Sequence, residues 1–190
     1  SFENEPDCSQ WQEDIRSILS EIKKGHLEKA VMARRTDYRF KKNIDVIGLM
    51  SELITTNPGC YCFMFQPEPD LAFISVTPER LFRREGRKLE IDALSSTVPR
   101  GKNPEEDGHW ERELLENKKL RHEHQLVIDG ITDRLASLID GRPQIGPTKV
   151  LKLERIQHLA TPIEAVLMPH TDDNELIAAL HPTPAVGGQP

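Results

Sequence analysis

Residues 60–96 read CYCFMFQPEPDLAFISVTPERLFRREGRKLEIDALSS. Four short apolar or alternating runs, at 60–66, 70–76, 80–86 and 87–96, are separated by the turn-forming stretches PEPD, TPE and EGR. Alternation with period two marks a strand that is buried on one face. Four strands in such close succession pair antiparallel, because a parallel neighbour needs a long crossover. Upstream, residues 44–56 predict a helix ending before the turn TNPG, and LEKAVMARRTDYRF (27–40) predicts a strand with one irregularity, on Val31, Ala33, Thr36, Tyr38 and Phe40. Residues 9–25 place Trp11, Ile15, Ile18, Leu19 and Ile22 at helical spacing, with Ser9 as N-cap and Gly25 as stop. Downstream, the polar loop PRGKNPEEDGHW (99–110) precedes one long helix over about 110–138, carrying Leu114, Leu115, Leu126, Val127, Ile131, Leu135 and Leu138 on one side. Residues 149–167 read as further strand and 172–181 as a short capped helix. The expected class is α+β, with largely antiparallel sheets and flanking helices.

The tail, HPTPAVGGQP (181–190), cannot continue a helix or a central strand. Its paired glycines allow positive φ and let backbone approach a ligand or another chain closely.

A length of 190 residues suits one domain or a large piece of one. The net charge is −6, from 25 Lys+Arg against 31 Asp+Glu, and the basic residues are scattered. This argues against nucleic acid or an anionic membrane as a partner. No apolar run approaches the roughly 20 residues of a membrane span, and the acidic start SFENEPDCSQ lacks the features of a signal or transit peptide. Cys8, Cys60 and Cys62 lack zinc spacing, and the CYC pair would place both sulfurs on one strand face, which reads as packing in a reducing compartment.

Four places hold polar groups with two readings each. Lys29, beside Ala30, Val31 and Met32, is either a desolvated base or a lysine whose stem lies along apolar surface at a strand end. Glu79, after a proline in VTPER, is a held acid or an ordinary turn residue. In RHEHQLV, His122 and His124 stand about 200° apart on a helix and cannot share an ion. Glu123 lies seven residues after Glu116, on about the same helix face, and is either a ligand for a hard cation such as Mg²⁺ or part of a solvated charged face. His158 interrupts the strand-like IQHLAT as a hydrogen-bonded core histidine or a site residue.

Taken in order, LEKAVMARR, FISVTPERLF, ALSSTVPRG, KLRHEHQLVIDGI, VLKLERIQHLATPI and ALHPTPAVGGQP resemble successive motifs of the chorismate-utilising enzymes. That family includes isochorismate synthase, salicylate synthase, anthranilate synthase component I and aminodeoxychorismate synthase. The sequence resembles the isochorismate synthases most, because water-adding members carry lysine where Lys29 stands, whereas the anthranilate type has glutamine. Aminodeoxychorismate synthases have a nucleophilic lysine where this chain has Ser95. The resemblance implies the anthranilate synthase component I-like fold, with residues 1–190 a partial chorismate-binding domain forming a single unit. It also implies Mg²⁺-dependent conversion of chorismate to isochorismate, in quinone or salicylate biosynthesis, with Lys29 as base and Glu79 as acid. Glu123 would bind Mg²⁺, and Thr97, His158 and Val186 would contact the substrate. A cytoplasmic location, or a plastid in a plant, goes with this reading.

The family reads Ala-Gly-Thr where this chain has Ser95, Ser96 and Thr97, and Leu120 replaces a usual Asp or Asn. Family chains continue past HPTPAVGG through a second metal-binding glutamate and the arginine and tyrosine that grip the substrate carboxylates. The expectation is therefore a fragment or truncated module that is inactive alone. The alternative is an inactive module with a structural role beside other domains of a larger pathway polypeptide.

Overall fold

The structure, a computed structural model, describes residues 1–189, with the backbone alone at Gln189. Its centre is an antiparallel sheet built on two long strands, β7 (Lys88–Pro99) and β10 (Ile156–Val166), paired along their whole length. The short strand β6 (Arg83–Glu85) extends the β7 edge, while β8 (Gln144–Ile145) and β9 (Lys149–Lys152) share the far edge of β10. Helices α3 (Pro104–Glu116), α4 (Lys118–Leu135) and α5 (Asp173–Leu180) complete this part. Leu89, Ile91 and Ala93 of β7 alternate with half-exposed neighbours and pack with Ile163 and Ala165 of β10. Val127, Ile128, Ile131 and Leu135 of α4 and Leu176 and Leu180 of α5 close the same core. Val98, Leu114 and Leu159 form a second cluster beside α3.

The remaining elements form two-stranded units. Strand β1 (Phe2–Glu5) pairs with β3 (Arg35–Tyr38), β4 (Tyr61–Glu68) with β5 (Leu71–Thr77), and β2 (Lys29–Ala30) with β11 (Gly188–Gln189). Helix α1 (Cys8–Lys23) and helix α2 (Val46–Thr56) accompany them. The four strands of residues 60–96 are antiparallel as expected, but they divide between two sheets: β4–β5 stand apart, and β6–β7 join β10. Cys60 and Cys62 are both half-buried, on the inward side of the alternation.

Several boundaries move for local reasons. The expected helix over 110–138 is two helices broken at Asn117, whose ψ of 117° leaves the helical region and whose side chain accepts from Lys119 N and Leu120 N. Glu116 and Glu123 therefore do not share one continuous helix face. Helix α3 starts inside the expected polar loop, with Asn103 as N-cap and Pro104 in the first turn, where a missing N–H costs nothing. Asp7 rather than Ser9 caps α1, its Oδ1 accepting from Gln10 N at 2.9 Å. Residues 27–40 split into β2 and β3 with different partners, and Leu153–Arg155 turn β9 back onto β10. The capping box of Asp172 and Glu175 starts α5 as the sequence suggests.

The glycine pair of the tail meets the chain's own backbone. Gly188 has φ +107°, and a Cβ there would lie 2.4 Å from the carbonyl oxygen of Lys29. Only glycine lets β11 lie this close to β2. Among the described residues, no helix is long and apolar enough to cross a membrane.

Candidate active site

A cleft of about 480 Å³ opens where β2, the end of β5, the bulged part of β7, the start of α4 and the start of β10 converge. Lys29, Glu79, Thr97, Glu123 and His158 all line it, together with Leu94, Ser95 and Ser96. These five come from widely separated stretches of sequence, and the fold brings them to one place. Val186 is not among them: it is 54% exposed, in a turn closed by its N–H donating to Thr183 O, and Ala185 takes its place on the wall.

Lys29 sits on β2, with its side chain only 9% exposed. Its Nζ donates to the carbonyl of Pro184 at 2.6 Å and lies 3.9 Å from Glu123 Oε1. Burial pulls its pKa below the ordinary lysine value, against the opposing pull of the Glu123 and Glu79 carboxylates. Glu79 follows β5, where its N–H donates to Thr77 Oγ1. Burial raises its pKa above the usual carboxylate value, against the attraction of Lys29. A lysine biased toward the amine and a carboxyl biased toward the acid thus face one cavity. Environments that push two titrating groups in such directions separate the roles of base and acid.

The bulge in β7 shapes the opposite wall. Across from the step between His158 and Leu159, the register skips Ser96, which has φ +56° and is buried. A left-handed bulge residue is usually glycine, and a side chain there costs about 1–2 kcal/mol. Ser96 Oγ donates to the carbonyl of Leu120 at 2.7 Å, which offsets part of that cost. Beyond the bulge, Thr97 Oγ1 lies 2.9 Å from His158 Nδ1. His158 Nε2 is buried with no hydrogen-bond partner among the described residues, and burial lowers the pKa of this ring. In the tautomer where Thr97 donates to Nδ1, the proton is on Nε2, which then faces the cleft side as a donor without a partner among the described residues.

Glu123, near the start of α4, is 34% exposed and accepts no hydrogen bond among the described residues. No group of three or more His, Cys, Asp or Glu side chains there is arranged to hold a metal ion. A part-exposed carboxylate with only the long contact to Lys29 nevertheless fits Mg²⁺, which takes one or two carboxylates and fills its remaining positions with water and substrate oxygens.

Two neighbours of the site were not singled out as functional. His124 is 3% exposed and bridges Ser95 Oγ and Thr161 Oγ1, at 2.7 Å each; burial lowers its pKa to about 4. Its spacing from Val127, Ile128 and Ile131 is the signal that it faces inward. The Pro184 carbonyl, a backbone group, has no sequence signal.

A family model described as chorismate binding enzyme matches residues 1–190. Isochorismate synthase MenF of Pasteurella multocida is 34% identical over 184 residues, covering 97% of this chain and 42% of that protein. The solved structure of MenF, the menaquinone-specific isochorismate synthase of Escherichia coli, superposes with a TM-score of 0.93 at 30% identity, covering 100% of this chain and 44% of its own. Anthranilate synthase component I of Streptococcus pneumoniae shares the fold, with a TM-score of 0.84 at 18% identity and coverage of 99% and 41%. The chain therefore spans less than half the length of these relatives.

Proposed function

We propose, from the premise that this chain belongs to the chorismate-binding enzyme family, that its cleft carries the acid–base chemistry of an isochorismate synthase. The observation that carries this reading is the placement of Lys29 and Glu79 on one cavity with opposed protonation tendencies.

The substrate would be chorismate. Lys29, as the free amine, takes a proton from a water whose oxygen bonds to ring carbon C2. The two ring double bonds each shift by one position, and the bond from C4 to its hydroxyl breaks. Glu79 gives its proton to that departing oxygen, which leaves as water. One water enters and one leaves, so the product is the isomer isochorismate. Proton exchange with solvent then resets both residues.

The hydrogen bond to the Pro184 carbonyl supports the base assignment, since it uses one N–H of Lys29 and leaves the amine's lone pair free to turn toward the cleft. The unpartnered Nε2 of His158, a donor when Thr97 donates to Nδ1, supports a contact to a substrate carboxylate. Glu123 is the residue that would hold Mg²⁺, whose charge would neutralise the substrate's ring carboxylate. Menaquinone, phylloquinone or salicylate-type products would follow from isochorismate, with other domains of a larger polypeptide as partners.

A second reading is a silent module kept for its architecture. Ser96 favours it, because a side chain fills the bulge where the family has glycine.

The test is a chimera in which this chain replaces the matching region of Escherichia coli MenF. Magnesium-dependent formation of isochorismate is expected, with a loss of about 10²-fold or more in Glu79→Gln. A folded chimera that leaves chorismate untouched would establish the architectural reading instead.

A further inference from the structure

We infer that His124 is a positioning residue that sets the rotation of α4 about its own axis and so aims Glu123 into the cleft. It does not itself line the cleft, which it meets only from behind through the Ser95 hydroxyl, and the chemistry proposed above does not use it.

The geometry is that of a three-way clamp. His124 Nδ1 lies 2.7 Å from Ser95 Oγ on β7, and Nε2 lies 2.7 Å from Thr161 Oγ1 on β10. Thr161 Oγ1 in turn lies 2.8 Å from Thr148 Oγ1, just before β9. One imidazole thus ties the helix to both central strands. Ser95 is also the residue next to the bulge at Ser96, whose own hydroxyl bonds the Leu120 carbonyl one turn earlier in α4. Two polar links therefore join the first turns of this helix to the bulge, and Glu123 lies between them in sequence.

The rest of the inward face of α4 is apolar: Val127, Ile128, Ile131 and Leu135. Apolar packing sets how deep a helix lies, and the hydrophobic effect behind it has no preferred direction. Hydrogen bonds from both ring nitrogens to two strands are directional. A carboxylate about 6 Å from the helix axis moves about 2 Å for a 20° rotation. A displacement of about 1 Å at a reacting centre can cost about 10²-fold in rate. A buried polar bridge at this position has a geometric task that leucine cannot perform.

The test compares His124→Leu, which fills the space without bonds, with His124→Gln, whose amide both donates and accepts. Amide hydrogen exchange is measured on the 190-residue chain. In His124→Leu, exchange should quicken by roughly tenfold or more in residues 118–126, 94–98 and 159–161, with residues 131–135 and 163–166 unchanged. In His124→Gln, protection of 118–126 and 94–98 should return to within about threefold of the unsubstituted chain. Uniform acceleration in the leucine variant would reveal a general stabilising role and overturn the inference, as would a glutamine variant no better than leucine.

The kinetic half rests on the proposed synthase activity and uses the MenF chimera. There, His124→Leu should lower kcat and raise the Mg²⁺ concentration needed for half-maximal rate, with glutamine restoring both. Leucine with unchanged magnesium dependence would overturn the aim assigned to Glu123. A chimera inactive before substitution would remove the synthase reading, and exchange would still decide the clamp.

Discussion

Residues 1–88 contain no buried residue, whereas among the described residues the core cluster runs from Leu89 to Leu180. The cleft draws on both regions. Glu123, Thr97 and His158 stand on the packed part, on α4 and the two long strands. Lys29 stands on the other, on a two-residue strand whose partner is the tail. An isolated two-stranded ladder is marginal in water. Lys29 is held instead by a few point contacts: the β11 pairing, the Pro184 carbonyl and the nearby Glu123 carboxylate. The residues proposed to contact substrate and metal thus stand on packed elements, whereas the proposed base and acid, Lys29 and Glu79, stand outside them, the base placed by specific contacts. Chemistry and stability are accordingly separable.

Substitution at Lys29 sharpens that contrast most. Lys29→Ala in the chimera should lower turnover by about 10³-fold while shifting unfolding stability by less than about 1 kcal/mol. Retained turnover would remove the base. Leu135→Ala, at a fully buried α4 position, should do the reverse. It should cost about 2–5 kcal/mol in denaturant unfolding, because a cavity is left in close-packed surroundings.

An acid titration probes how the packed region is fastened at its rim. Asp107 of α3 accepts from the Arg100 guanidinium, from Gly101 N and from Lys152 Nζ, which hold its carboxyl well below the usual range. A depressed folded-state pKa contributes stability that is complete above the unfolded carboxylate value of about 3.9 and is lost as pH falls below it. The unsubstituted chain should lose stability below about pH 4 more steeply than Asp107→Asn, which should already be weaker at neutral pH. Parallel pH profiles would show that this carboxylate is not coupled to folding.

Smaller effects are expected at two further sites. Ser96→Gly relieves the positive φ but removes the bond to Leu120, so stability should change by no more than about 1 kcal/mol. Phe65→Ser, at a position 65% exposed on β4, should change it least, by about 0.5 kcal/mol or less. A large loss there would break the comparison by revealing that the β4–β5 face is covered.

Strand character at 87–96 and 149–167 was legible because alternation is local, though the turn that divides the second stretch into β9 and β10 was not, and the capping residues at 172–175 were legible for the same reason. The division of residues 60–96 between two sheets was not, because it depends on β7 choosing β10 some 60 residues away. The break at Asn117 was hidden by an apolar pattern that continues through it, since Leu114 and Val127 are both buried. The cap-forming asparagine was the overlooked signal. At the site, each of Lys29, Glu79, Glu123 and His158 reads ambiguously alone. Their common cleft is a property of the fold, and only the resemblance to a family pointed to it in advance. Val186 is exposed and its neighbour Ala185 lines the cleft, a placement set by the turn at Thr183 that the string PTPAVGG does not reveal.

The most direct measurement is chorismate turnover by the chimera in H₂¹⁸O with Mg²⁺, followed by mass analysis of the isochorismate formed. If the cleft adds water at C2 and expels the C4 hydroxyl, each product molecule carries one solvent-derived oxygen, and Lys29→Ala forms almost none. Unlabelled isochorismate, or labelled product formed at an undiminished rate by Lys29→Ala, would contradict the account.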